Sequence, residues 1–204
     1  MNNNLTNAHL KDRFNHLLKV ISHDRFLKMQ GIGNEVPFFI CPYDPKDSVE
    51  MESLQKNLLK NLENKGISVL ALDLYDLTID MMKKDGDWKF YMENESQFSK
   101  KKLLEEFKAI LDVKKCLTPV IESEMKNANF EVMFISGVGN VFPYIRAHNL
   151  LNNLQSSAKE HPTVFFFPGE YSHTSESSET SLNLFGKFSN QHYYRAYNIY
   201  EYKV

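Results

Sequence analysis

The chain lacks the residues that mark several function classes. Two cysteines, Cys41 and Cys116, stand far apart in 204 residues and form no CxxC arrangement. They build neither a disulfide framework nor a cysteine-ligated zinc site, and they fit a reducing cytoplasm. Only eight residues are glycine, and no GxxxxGK[ST] run stands at a strand–helix junction, so the cradle for tight triphosphate binding is missing. Neither a GxSxG elbow nor an HExxH pair is present. Apolar runs stop after a handful of residues, far short of the roughly 20 that span a membrane. The N-terminal MNNNLTNAHLKDRF has no apolar h-region, so no signal peptide is expected. Neither sign of charge predominates: the formal net charge is −2 and the pI about 6.4. A dedicated nucleic-acid binder usually carries a basic excess, so direct sequence-specific binding to nucleic acid is not expected.

What is present describes a globular protein. Apolar residues make up 42% and aromatic residues 13%, enough for one cored domain over residues 1–204. Four apolar runs carry the architecture: Val36–Cys41, Ser68–Leu72, Glu131–Ile135 and Thr163–Phe167. None alternates with polar residues, as expected of strands covered on both faces. After the first, Asp44 reads as an N-cap with Pro45 at the first helical position. The helix then runs to about Asn64 with Met51, Leu54, Leu58, Leu59 and Leu62 on one face, and Gly66 closes it. The next run follows directly, which implies a parallel β-α-β unit with a right-handed crossover.

His9 to Met29 is also helical in period, with Asn7 as cap and Leu10, Phe14, Leu17, Leu18 and Ile21 on one face. Gly31 and Gly33 then release the chain toward the first strand. Residues 74–129 form a helical insert, too long for a simple crossover. Leu77, Met81 and Met82 make one element. Phe98 to Leu111 makes another, and Thr118 with Pro119 reads as cap and start of a third. Trp88–Met92 is irregular or a short strand. The lysines at 100–102 and 114–115 have acidic neighbours and read as solvated helix faces. Ser172–Thr180 is a polar loop, and Tyr194, Ala196 and Asn198 suit a last strand at the sheet edge. The fold class is therefore α/β: a three-layer, Rossmann-like domain with a mostly parallel sheet of four to five strands and a helical insert.

The most informative stretch is Phe134–Leu154, FISGVGNVFPYIRAHNLLNNL. A buried strand meets a turn with Gly137 and Gly139, and Pro143 opens a segment of helical period. Open α/β sheets meet their ligands at such junctions. Position 142 is Phe where a dinucleotide fingerprint needs its third glycine. Ala147, Leu150, Leu151, Leu154 and Ala158 form the core face of the helix. Arg146, Asn149 and Asn153 lie opposite, Asn152 lies beside them, and His148 stands on the flank one turn from Asn152. A cation so near a helix N-terminus is disfavoured by the dipole, and Glu170 at a neighbouring strand end is the candidate partner for Arg146. A trio of Asp73, His148 and Glu170 would suit a metal or acid–base chemistry, though Asp73 equally suits a helix cap.

GVGNVFPYIRAHNLLNNLQ, FFFPGEY and HYYRAYNI, with Arg25–Pro45 upstream, resemble the BrxB family of the BREX bacteriophage-exclusion systems. The likeness runs in order from about Arg25 to Asn198. It implies a cytoplasmic, non-enzymatic interaction or scaffold component without a cofactor. Its implied partners are a PglZ-like protein of the alkaline-phosphatase superfamily and other BREX components, without a membrane; a homodimer stays open. The family supplies no active site. The matching blocks give binding candidates: Gly137, Gly139, Arg146, His148, Asn149, Asn152, Asn153, Glu170 and Arg195. Two other readings stand beside this one. One is a degenerate nucleotide- or anion-binding regulatory domain using the Gly137–Pro143 loop; the other is a metal-dependent hydrolase.

Overall fold

A computed structural model describes residues 6, 8–30, 37–174, 179–191 and 196–204. Each of the four apolar runs supplies a strand: β1 (Phe38–Tyr43), β2 (Val69–Asp73), β3 (Val132–Ser136) and β4 (Thr163–Thr174). They pair in parallel in the order β2-β3-β4-β1, and β7 (Tyr197–Asn198) adds a short parallel edge beside β1. The three-layer α/β expectation holds. Successive side chains of a strand point to opposite faces. Phe38, Ile40, Met133, Ile135, Phe165 and Phe167 enter one core, while Phe39, Cys41, Val132, Phe134, Val164 and Phe166 enter the other. Full burial of such a side chain stabilises by about 1.5–3 kcal/mol. These alternating apolar residues therefore anchor both helical layers.

One layer comprises α1 (Leu10–Ile21) and α3 (Ser48–Asn64). Asp44 does cap, accepting the Lys46 N–H at 3.0 Å, but Pro45–Asp47 forms a 3-10 turn before α3 begins. Leu17 and Ile21 of the expected face of α1 are buried and Phe14 and Leu18 pack against the same core, but Leu10 is exposed, and Arg13 and Val20 join the buried face. Arg13 turns in because three partners await its guanidinium. The helical stretch also breaks at Ser22, and His23 Nδ1 caps the short α2 (Asp24–Leu27) by accepting the Arg25 N–H at 3.1 Å. Asn7, Gly31 and Gly33 lie outside the described residues.

The other layer is the insert, α4 (Leu74–Asp85), α5 (Asp87–Asn94), α6 (Lys100–Ile110) and α7 (Thr118–Asn127), with α8 (Ala147–Leu154) from the later segment. Trp88–Met92 lies in α5, not in a strand or irregular segment. Trp88 and Tyr91, one turn apart, both face the core. Thr118 is a buried residue inside the helix and not a cap. The chain already coils as a π turn at Val113–Leu117, where Asp112 accepts the Lys115 N–H at 2.7 Å. Among the described residues, no helix is long and apolar enough to cross a membrane.

Of the polar loop expected at Ser172–Thr180, Ser172–Thr174 and Glu179–Thr180 are strand, and residues 175–178 lie outside the described residues. β4 runs on to Thr174 and pairs antiparallel with β5 (Glu179–Leu184), which pairs with β6 (Phe188–Gln191). The change from parallel to antiparallel partners falls at Gly169. Its φ is 153°, and a Cβ there would collide with the Asn183 carbonyl oxygen. Backbone pairing and the buried Leu182 and Leu184 hold this ribbon despite its polar composition.

Candidate protein-interaction site

The segment after β3 does not become helix at Pro143. Residues 138–145 wind through turns in which Val141 and Asn140 donate to the Gly137 carbonyl, and Ile145 and Tyr144 donate to the Val141 carbonyl. The buried side chains of Val138, Val141 and Ile145 pin this loop to the core, which explains its helix-like apolar spacing. The Phe142–Pro143 peptide is cis. Arg146 is extended (φ −108°, ψ 131°), and α8 begins at Ala147. Arg146 is therefore the residue before the helix, not part of its first turn.

Asp73 explains Gly137. Its Oδ1 accepts the Tyr75 and Asp76 N–H groups at 2.9 and 3.3 Å, capping α4, and its Oδ2 accepts the Ser136 hydroxyl at 2.9 Å. Gly137 has φ 73°, and a Cβ there would fall on the Asp73 carboxylate. A phosphate approaching this turn meets a fixed negative charge. Gly139 is crowded differently: an added Cβ would lie 3.0 Å from both the Phe185 and Pro168 rings.

A wide opening lies elsewhere, between α4, α5 and α6 and the loop Asn140–Tyr144. It is an apolar cleft of about 660 Å³. Tyr75, Ile79 and Met82 come from α4, Trp88 and Met92 from α5, and Leu103 and Phe107 from α6. Tyr91 packs edge-on against Phe107 at 4.9 Å, and Phe107 against Tyr144 at 5.0 Å, so aromatic rings brace its floor. The Tyr91 hydroxyl donates to Glu106 at 3.3 Å. Burial raises the phenol's pKa, and the nearby Glu106 charge adds to the shift. Met92 and Tyr75 are 60% and 45% exposed at the rim. Glu95 and Lys100, of opposite sign, are the charged residues of this lining.

A second cleft, about 450 Å³, continues from the first across Leu111, Pro143 and Tyr144. Lys108, Asp112 and Lys114 line it from the insert, and Arg146, His148, Asn149 and Asn153 from the later segment. The structure thus brings four sequence candidates together and adds two lysines, of which Lys114 had read as part of a solvated face. His148 is buried beneath this surface and does not stand exposed on the flank. Asn152 is exposed on α8 but outside the cleft lining. Glu170 is exposed and accepts from Asn183 Nδ2 at 3.2 Å, and among the described residues no ion pair joins it to Arg146. It belongs to the β4–β5 ribbon. Arg195 lies outside the described residues. Among those residues no three His, Cys, Asp or Glu side chains gather to hold a metal, so Asp73, His148 and Glu170 form no such group. The apolar cleft was missed from sequence because its walls come from segments about 70 positions apart. The pairs Tyr75–Ile79 and Trp88–Met92, each one helical turn apart, were the available signal.

The family described as "BREX protein BrxB" matches residues 70–199, which contain the whole insert and the α8 segment. A BREX protein BrxB of Bacillus cereus (strain H3081.97) is 28% identical over 93% of this chain and 97% of its own length. Another, from Escherichia coli O9:H4 (strain HS), is 29% identical over 93% of this chain and 91% of its own length. A probable deoxyuridine 5'-triphosphate nucleotidohydrolase of Invertebrate iridescent virus 6 is 27% identical over 57% of this chain and 37% of its own length. No solved structure matches the chain. The chain belongs to the BrxB family and is a component of a BREX phage-defence system.

Proposed function

We propose that this BREX component is a non-enzymatic binding subunit. It holds another protein of the system, with a PglZ-like member of the alkaline-phosphatase superfamily as the leading partner. The supporting observation is the apolar cleft between the insert helices and the Asn140–Tyr144 loop. Contiguous exposed apolar surface rimmed by polar residues marks interaction sites, and aromatic and Met side chains are enriched in them. Trp88, Tyr91, Phe107 and Tyr144 supply rigid area, and Met92 and Met82 supply adaptable area. A small ligand of matching volume would need convergent polar groups to orient it. Here the lining offers mainly Glu95, Lys100, Thr78 and Asn140.

The test is a Tyr75→Ala/Met92→Asp variant in cells carrying the whole system. Both side chains are at the rim, so the fold is expected to persist. Phage protection and co-purification of the PglZ-like protein are expected to fall together. A folded variant with full protection and full partner recovery would refute this reading. Turnover of ATP or GTP by the purified chain is expected to equal a buffer control.

A further inference from the structure

The two clefts form one surface with two chemistries. They share Leu111, Pro143 and Tyr144 as a common floor. Toward α5 the surface is apolar, with Glu95 and Lys100 opposing each other in charge. Toward α8 it is cationic: Lys108, Lys114 and Arg146 face it, against the single carboxylate of Asp112. That carboxylate already accepts the Lys115 N–H. Among the described residues no ion pair involves Lys108, Lys114 or Arg146, and all three are exposed. Moreover, α8 starts with no side-chain cap and no acidic residue in its first turn. Its positive dipole end adds to the same field.

The geometry points to one kind of occupant: a partner segment that is apolar at one end and acidic at the other. Its apolar side chains seat among α4, α5 and α6, and its carboxylates face Lys108, Lys114 and Arg146. This rests on the binding-subunit reading and adds the chemistry and direction of the bound segment. Charge complementarity at the edge of an apolar patch fixes register and speeds encounter. A nucleic-acid strand fits less well, because its phosphates repeat along its whole length. Beyond Tyr144 this surface offers Lys100 beside Glu95 and otherwise apolar walls.

Photo-crosslinking in cells carrying the whole system tests this. One benzoylphenylalanine probe replaces Met92 and another replaces Asn149; both positions are exposed, and folding is checked by retained melting behaviour. The same partner chain is expected on both probes. Peptide mapping should show an apolar stretch at Met92 and a neighbouring Asp/Glu-rich stretch at Asn149. If Met92 captures the partner and Asn149 captures nothing, nucleic acid, or a segment without acidic excess, the inference is overturned and the binding-subunit reading stands. If neither probe captures protein, both fail. A Lys108→Glu/Lys114→Glu variant gives an independent readout. Partner affinity is expected to drop about tenfold, and its weakening with salt should become shallower. Unchanged affinity with an unchanged salt dependence would also overturn the inference.

Discussion

On one face of the sheet, α1 and α3 close over Phe39, Cys41, Phe134 and Phe166, and the polar groups beneath them are satisfied internally. Arg13 is 1% exposed. Its Nε donates to the Tyr200 hydroxyl at 3.1 Å, its Nη1 pairs with Asp47 at 3.4 Å, and its Nη2 meets Met51 Sδ at 2.9 Å. Cys41 Sγ lies 3.3 Å from the same hydroxyl. Burial pushes the Cys41 thiol up to about 11, so it stays protonated and unreactive at neutral pH. On the opposite face the insert helices stand apart enough to leave the apolar cleft, and the cations beside it have no carboxylate partner among the described residues. Both faces are built from the same β-strands. On the binding-subunit reading proposed above, the closed face is complete in itself and the open face receives the partner.

The strongest way to break this comparison is Arg13→Ala. It removes a buried cation, leaves a gap, and leaves the Tyr200 hydroxyl with the weakly donating Cys41 thiol in place of the guanidinium. A loss of about 3 kcal/mol is expected by urea unfolding. A loss under about 0.5 kcal/mol, the range of ordinary surface changes, would show that the closed face does not depend on this network. Next comes Gly137→Val, with an expected loss of about 2–3 kcal/mol from a left-handed φ and collision with Asp73. Gly139→Val should lower the melting temperature too, by less, because its neighbours are two ring edges at 3.0 Å. Equal melting curves for the two would show that the Gly137 geometry is relaxed.

Alkaline pH sharpens the same contrast. Cys41 shifts from 9.0 to about 11 and Tyr43 from 10.0 to about 12, each chiefly by burial on the closed face. Above these ordinary values the unfolded chain releases protons that the folded chain retains. The unfolded state then binds fewer protons, so stability falls as pH rises. Full stability is expected below pH 9, with a decline of about 1.4 kcal/mol per pH unit for each group inside its window. Tyr43→Phe should flatten the decline between about pH 10 and 12. An unchanged slope would contradict the burial. The smallest stability effect belongs to the open face. An Arg146→Ala/Asn149→Ala/Asn153→Ala variant should unfold within about 0.5 kcal/mol of the parent yet weaken phage protection. A variant that is fully protective would remove the cationic cleft from the interaction surface.

The strands and α3 were legible because their signals are local. Four unbroken apolar runs mark the parallel sheet, and Asp44-Pro45 followed by Met51, Leu54, Leu58 and Leu62 marks a capped amphipathic helix. The extension of β4 was not legible, since Ser172–Thr174 and their partners Glu179–Ser181 are polar and are held by backbone pairing, which an apolar pattern does not signal. The role of Arg13 was not legible, because the Tyr200 hydroxyl that accepts from its Nε lies 187 positions away. The polar face of α8 was visible by helical period, but its true neighbours were not. Glu170 was the expected partner for Arg146; the charged residues that share its cleft are Lys108, Lys114 and Asp112, with no ion pair to Arg146 among the described residues. Sequence proximity at strand ends favoured the wrong carboxylate, because the placement of the insert is a tertiary property.

Hydrogen exchange of the chain alone and within the assembled BREX complex tests the central claim most directly. The account expects new protection in α5, α6 and residues 140–147, with α1 and α3 exchanging alike in both states. Protection confined to α1 and α3, with no change around Trp88, Phe107 and Tyr144, would contradict it.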